Sequence, residues 1–340
     1  MPLRPISRRG FLFATGGAAT VALSAALAGC GDDAPSGAAS GGGAWEFTDD
    51  RGKKITRDKR PERVVAYVSS AAALWDFGIH PIGVFGPQKT ESGDKELQAG
   101  NIDLAKETSL GNAWDDFDLE KFIGLRPDLL VTGLTGTEDT ALWAITPEMN
   151  PKVEKVAPIL ALSEYKVSLP KVIERYEALA KALGADVASD AVTKAKSEFK
   201  AASDDLAAAA KEKSGLKVLV LYADKDGVYI AKPEFFADLS YYKELGLDIV
   251  AGGGSEDYWE QLSWEQIGKY PADLILTDTR TFALSRQQMA EYPTWRALPA
   301  VTAGQVGDWS AEPRFNYTLA APVIRKLTAA VKKARTDIAA

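Results

Sequence analysis

Asp118-Leu119-Glu120-Lys121-Phe122-Ile123-Gly124-Leu125-Arg126-Pro127-Asp128-Leu129-Leu130-Val131 reads as a capped helix running into a buried strand. Asp118 is a good N-cap, and Glu120 puts an acid at the positive end of the helix. Phe122, Ile123 and Leu125 form its apolar face, Pro127 stops it, and Leu129-Leu130-Val131 follows as the strand. The unit returns 145 residues later as Ser263-Trp264-Glu265-Gln266-Ile267-Gly268-Lys269-Tyr270-Pro271-Ala272-Asp273-Leu274-Ile275-Leu276. Glu120 to Asp128 and Glu265 to Asp273 are both eight positions. Two further pairs echo in the same order. Arg63–Ser70 (RVVAYVSS) resembles Lys217–Asp224 (KVLVLYAD), and Phe77–Gly86 (FGIHPIGVFG) resembles Leu245–Gly252 (LGLDIVAG). An echo of such long period means two lobes built to one plan, not a short-repeat solenoid.

At 340 residues the chain is long enough for two real cores, and 46% apolar with 26% charged residues is ordinary globular composition. The formal charge is −7, and no basic run follows the first residues, which argues against a nucleic-acid partner. Such acidity mildly favours neutral or cationic ligands. A single cysteine, Cys30, forbids an intrachain disulfide, and a single histidine, His80, rules out a metal site of several imidazoles.

The first 44 residues are address rather than fold. Ser7-Arg8-Arg9-Gly10-Phe11-Leu12 opens an apolar, Ala-rich run ending in Leu27-Ala28-Gly29-Cys30. The arginine pair reads as a twin-arginine export signal over residues 1–29, and Leu-Ala-Gly-Cys resembles a bacterial lipobox that leaves Cys30 lipidated. Residues 30–44 have the composition of a flexible tether. The globular part is then expected outside the cell membrane, held to its outer face by lipid on Cys30.

Along that part, Trp45–Thr56 reads as a hairpin turning at Asp50-Arg51-Gly52, and Arg63–Val68 as a buried strand followed by a helix capped by Ser69 or Ser70. A strand at His80–Gly86 follows, then surface loop over Pro87–Asn112, the first repeated unit, a helix near Glu138–Ile145 and a strand at Val156–Leu162. Ser168–Gly184 is the clearest helix: Leu169, Val172, Ile173, Tyr176, Leu179, Ala180 and Leu183 share one face. It lies between the echoed halves, so it is expected to be a rod about 25 Å long joining a lobe of residues 45–167 to one of residues 185–340. After a second long helix at Ser189–Lys213, the strand–helix alternation repeats, with a helix at Pro233–Leu245 and a last one at about Tyr317–Thr336. The fold class is α/β: two Rossmann-like lobes with largely parallel sheets, joined by one long helix, with the ligand cleft between them beyond the carboxyl ends of the strands.

No catalytic set is visible. There is no nucleophile elbow or phosphate loop, and His80 sits in an apolar turn. What the strand ends carry is aromatic: Tyr67, Phe85 and Trp114 in the first half, Tyr258, Trp259, Trp309, Phe315 and Tyr317 in the second, with Arg280 and Arg314 beside them. Rings offer large contact area at low entropy cost, and arginines hold anionic oxygens, so these ten are the candidate ligand-binding residues.

With the export signal, the rod helix and the doubled unit in place, the chain resembles the solute-binding lipoproteins of iron–siderophore and cobalamin ABC importers. The pieces that carry the likeness are Phe47-Thr48-Asp49-Asp50-Arg51-Gly52, Pro61-Glu62-Arg63-Val64-Val65, the first repeated unit, and Trp295–Val301 with Gly304-Gln305-Val306. The resemblance implies a monomer without cofactor or enzymatic activity. It implies little lobe closure, and partnership with a permease and its ATPase through one glutamate per lobe, here Glu120 and Glu265. Relatives that bind hydroxamates often carry Arg where this chain has Trp114. A tris-catecholate iron complex carries a charge of about −3 and calls for a cluster of bases. Two arginines among many rings suit a ferric hydroxamate better, its iron held by the siderophore rather than by the protein. Cobalamin and haem stay open as alternatives, as does a surface protein or enzyme on the same fold.

Overall fold

The computed structural model describes residues 44–312 and 314–339; the expected export signal and Cys30 lie outside them. In the first lobe, β1 (Trp45–Thr48) and β2 (Lys54–Arg57) form the expected hairpin, followed by β3 (Val64–Tyr67), α1 (Val68–Trp75), β4 (Gly83–Phe85), β5 (Thr108–Ser109), α2 (Leu119–Leu125), β6 (Leu129–Leu134), α3 (Asn150–Glu154) and β7 (Ile159–Ser163). Two helices follow, α4 (Leu169–Ala182) and the longer α5 (Asp190–Glu212). The second lobe runs β8 (Lys217–Ala223), β9 (Val228–Ala231), α6 (Ala237–Glu244), β10 (Asp248–Ile249), β11 (Trp259–Leu262) and β12 (Leu274–Asp278). The short α7 (Arg286–Met289), α8 (Pro293–Arg296) and α9 (Pro299–Thr302) then lead to β13 (Val306–Trp309) and α10 (Tyr317–Lys333).

The first sheet has the order β5-β4-β3-β6-β7 and is parallel throughout. The second has the order β11-β9-β8-β12-β13, with β10 beside the start of β8. Within this largely parallel sheet β9 runs antiparallel to both β8 and β11, and a tight turn joins it to β8 in place of a helical crossover. Alternation along β8 divides the second lobe. Val218 and Val220 belong to a core continuous with the first lobe and α4, whereas Leu219 and Leu221 face a separate cluster with Trp295 and Met289. No helix among the described residues is long and apolar enough to cross a membrane.

The repeated unit has one structural job in both lobes. The Asp128 carboxylate accepts from the backbone N–H groups of Glu62 and Arg63 at 3.0 Å, where β3 begins. Asp273 accepts from Lys217 N–H at 2.9 Å, where β8 begins, and also from Ile338 and Ala339 at 2.9 and 2.8 Å. Parallel strands start with N–H groups that no neighbour satisfies, and an aspartate at the head of the adjacent strand supplies the acceptor. The helices differ, however. Asp118 caps a true α-helix, accepting from Lys121 N–H at 2.9 Å, whereas Trp264–Lys269 winds as a 3-10 helix behind a Ser263–Gln266 capping box. Its two buried residues, Trp264 and Ile267, are three apart, the period at which 3-10 side chains stack.

The hairpin tip covers the exposed edge of the first sheet. Asp49 accepts from Ala161 N–H at 3.2 Å, Asp50 accepts from Ser163 N–H at 2.8 Å, and Arg51 Nη2 donates to Ile159 O at 2.6 Å, so the open side of β7 finds partners. Arg175 of α4 donates to Asp50 at 2.7 Å, tying the tip to the next helix. That helix packs on α1 and on α6, and Ser168 at its head donates to Glu244 at the end of α6 at 2.9 Å. It covers Leu169–Ala182 of the helix expected at residues 168–184, while the longer linking helix α5 packs along α10. Two local expectations fail. Ser69 and Ser70 lie inside α1, whose N-cap position is Tyr67, because the strand passes into the helix without a turn. Residues 138–145 form a looped excursion rather than a helix, pinned by Trp143 N–H to Gly133 O at 3.1 Å.

Replacing Asp273 by alanine should cost about 3 kcal/mol in urea denaturation, since three N–H groups lose an ionised acceptor at a buried site. Asp128→Ala, with two such bonds at a half-exposed site, should cost about 1 kcal/mol.

Candidate functional site

Both lobes line one cavity of about 230 Å³. The first lobe contributes Ser69 just past β3, Trp143 from the excursion after β6, and Glu164 one residue past β7. The second contributes Phe235, Phe236 and Ala237 between β9 and α6, Asp257, Tyr258 and Trp259 at the entry to β11, Arg280 past β12, and Ala311, Glu312 and Phe315 past β13. Apart from Phe235–Ala237 after the antiparallel β9 and the approach to β11, these positions follow the carboxyl ends of parallel strands, where open α/β sheets put their ligands.

Ring packing makes the walls rigid. Trp143 stacks on Tyr67 with centroids 5.8 Å apart and leans on Trp114 at 5.0 Å. Opposite, Trp259 meets Tyr222 and Phe236 edge to face at 4.8 and 4.9 Å, and Tyr258 lies 5.4 Å from both Phe235 and Phe236. Tyr258 has a left-handed backbone, φ +62°, uncommon for a bulky residue, and its hydroxyl donates to Thr135 O of the other lobe at 2.7 Å. The loop before it is fixed from below by Lys232, which donates to Gly254 O at 2.9 Å and to Glu256 O. Three more bonds join the lobes: Tyr165 to Asp257 at 2.9 Å, Thr281 to Glu96 at 3.2 Å and Asn316 Nδ2 to Ala72 O at 3.0 Å.

The charges are unevenly matched. Arg280 donates to Asp278 at 2.6 Å and to Glu312 at 3.2 Å, and its guanidinium lies 4.6 Å from the Phe282 ring centre. Its charge is therefore balanced by its own lobe. Burial raises Glu312 above the ordinary carboxyl range against the pull of Arg280. Glu164 has no such cation. Its Oε2 accepts from the Trp143 indole at 2.9 Å, its Oε1 has no partner, and burial pushes its pKa to about 8 even though the indole bond pulls it down. The Ser69 hydroxyl is also unpartnered.

Of the ten expected ligand residues, Tyr258, Trp259, Arg280 and Phe315 line the cavity, and Trp114 lies partly exposed beside Trp143. Tyr67 is a buried support for Trp143, its hydroxyl bonded to Gln98 at 3.2 Å. Phe85 is buried in the first lobe between Tyr67 and Phe117. Trp309 backs Phe236 and Trp259 and donates to Asp238 at 2.7 Å. Arg314 lies near Asp238 and Tyr242, outside the cavity lining, and Tyr317 bonds Glu177 of α4 at 2.9 Å against Phe77 and Phe199. Tyr67, Phe85 and Trp309 sit one layer too deep because a residue at a strand end points into the lobe as readily as out of it. Ser69, Trp143, Glu164, Phe235, Phe236, Asp257 and Glu312 were not anticipated; Glu164 and Glu312 carried a usable signal, since each follows a strand.

Glu120 and Glu265 are exposed and occupy equivalent places. Both helical segments begin at the cleft end of their sheet. Asp118 N–H bonds Leu110 O near the end of β4, and the Trp264 indole bonds Asp224 O just past β8.

Residues 64–313 match the sequence pattern of the periplasmic binding protein family. The Fe(3+)-citrate-binding protein YfmC of Bacillus subtilis (strain 168) is 24% identical over 256 residues, 75% of each chain. The fold superposes with a TM-score of 0.81 on DesE, a ferric-siderophore receptor protein from Streptomyces coelicolor, at 39% identity over 86% of this chain and 99% of that one. FhuD2 from Staphylococcus aureus with bound ferrioxamine B shares the fold at a TM-score of 0.55 and 18% identity, over 80% and 98% of the two chains. The chain belongs to the periplasmic binding protein family.

Proposed function

We propose that this protein captures a ferric siderophore, of hydroxamate type, in the cleft between its lobes and delivers it to the permease of an ABC importer. The observation that carries the reading is the cavity itself: aromatic walls around a charge balance that is acidic or neutral, never basic. Arg280 is held by Asp278 and Glu312, so it offers no spare positive charge to a complex of charge about −3. A ferric hydroxamate, neutral or cationic with an apolar outer surface, meets no such penalty. Family membership and the likeness to a ferric-siderophore receptor support iron transport as the wider role, and members of the family are transport proteins rather than enzymes. Haem finds less support, since the hydroxyls of Tyr67 and Tyr317 are both engaged elsewhere.

In the same reading the mature protein is a monomer anchored through lipid on Cys30 and the tether of residues 30–44. Glu120 and Glu265 are the contacts that arginines of the permease recognise. Two exposed carboxylates at equivalent helix starts, both on the cleft side, form a two-point acidic footprint that reads the relative position of the lobes.

Titration of intrinsic tryptophan fluorescence with ferric hydroxamate, ferric catecholate, haem and cobalamin tests the ligand class. Saturable sub-micromolar quenching by the hydroxamate is expected, and a response only to catecholate, haem or cobalamin would overturn that class. Trp259→Ala should weaken hydroxamate binding at least tenfold, about 1.4 kcal/mol, with circular dichroism unchanged. Charge reversal at Glu120 and Glu265 together should abolish cellular uptake of the iron complex while the purified protein binds it as before. Retained uptake would remove the docking role.

A further inference from the structure

Glu164 is a carboxyl group with half its bonding capacity unused in a place where that is costly. Its Oε1 has no partner, nor has the Ser69 hydroxyl, and both residues line the cavity. No cation among the described residues pairs with it, and the one guanidinium in the cavity is engaged by Asp278 and Glu312. The carboxyl is held in position rather than merely stranded. The Trp143 indole fixes Oε2, and a Cβ on Gly133 would come within 2.4 Å of Oε1, so the small residue there leaves room for it. The rings of Trp143, Tyr258 and Phe235 line the same cavity, and an unpaired carboxyl beside aromatic faces is the chemistry that recognises an ammonium group. An ammonium brings three donors, and Glu164 and Ser69 are the cavity residues with an unpartnered buried acceptor.

We propose that Glu164 determines selectivity in the cleft by pairing with a positively charged nitrogen of the ligand, so that a ferric complex carrying a free ammonium is preferred to its uncharged counterpart. The inference rests on the siderophore reading and names the ligand subclass within it. It also couples binding to protons. In the empty cleft Glu164 keeps its proton to about pH 8, and pairing with a cation requires the carboxylate, so each binding event below that pH releases one proton. Glu312 and Asp257 add negative potential, Arg280 opposes it, and Tyr67, Tyr176 and Tyr258 stay protonated because burial raises all three.

The test compares ferrioxamine B, which bears a free ammonium, with its N-acetylated form, which does not, by calorimetry on the protein and on Glu164→Gln. The wild type should bind the ammonium form at least tenfold more tightly. Its affinity for that form should rise about tenfold per pH unit between pH 6 and 8, as expected for one released proton, while the acetylated form stays flat. In Glu164→Gln the two complexes should bind equally and without pH dependence. Equal binding by the wild type, or a preference that survives Glu164→Gln, overturns the proposal and leaves the hydroxamate reading standing. Binding of neither complex removes both. A ligand-free measurement checks the carboxyl directly. The folded state keeps a proton that the unfolded state sheds near 4.5, so Glu164 lowers stability as pH rises from there to about 8. Glu164→Gln should remove that part of the slope, and identical slopes would show that the carboxyl does not titrate as the proposal requires.

Discussion

Two sheets aim the carboxyl ends of their parallel strands at one seam, and most of what is distinctive about the molecule follows from that. A parallel strand must be left at its carboxyl end by a segment that turns back over the sheet, so each lobe delivers a set of turns to the same place. Turns carry backbone and side-chain polar groups that have to be satisfied. Here some are satisfied across the seam, as with Tyr258 and Thr135, some within a lobe, as with Arg280 and Glu312, and some not at all. The site is where this accounting is left open.

At the opposite ends of the strands the same accounting is closed. Asp128 and Asp273 take the leading N–H groups of β3 and β8, and the Asp49-Asp50-Arg51 tip takes the free edge of β7. Unpartnered groups at the cleft therefore do not reflect a loosely built protein. The chain spends aspartates freely on its framework, while the Glu164 and Ser69 oxygens stay bare where both lobes meet.

Those framework aspartates are also what made the fold legible. Asp128 and Asp273 sit at fixed distance from Glu120 and Glu265 because a short helix and a strand start have to be spanned, and that spacing survives between lobes of otherwise different sequence. The site was only partly legible. Periodicity tells which residues of a strand are covered, not which of two layers covers them, so Phe85 and Trp309 looked like Trp259. Phe235 and Phe236 read as the apolar face of a helix because their turn into a 3-10 segment depends on the packing of β11, far away in the chain. Trp143 reached the cleft through an excursion whose shape is set by its tertiary bonds to Gly133 and Glu164.

The continuous apolar core that joins the first sheet, α4 and one face of the second sheet bears on how the molecule comes apart. Two lobes with private cores would be two cooperative units, each able to melt while the other stood. Here Val218 and Val220 of β8 share a cluster with Val65, Leu130 and Tyr176, so loss of either lobe exposes apolar surface on the other. The lobes should unfold together, and a small molecule that touches only the seam should protect amides from exchange throughout the protein.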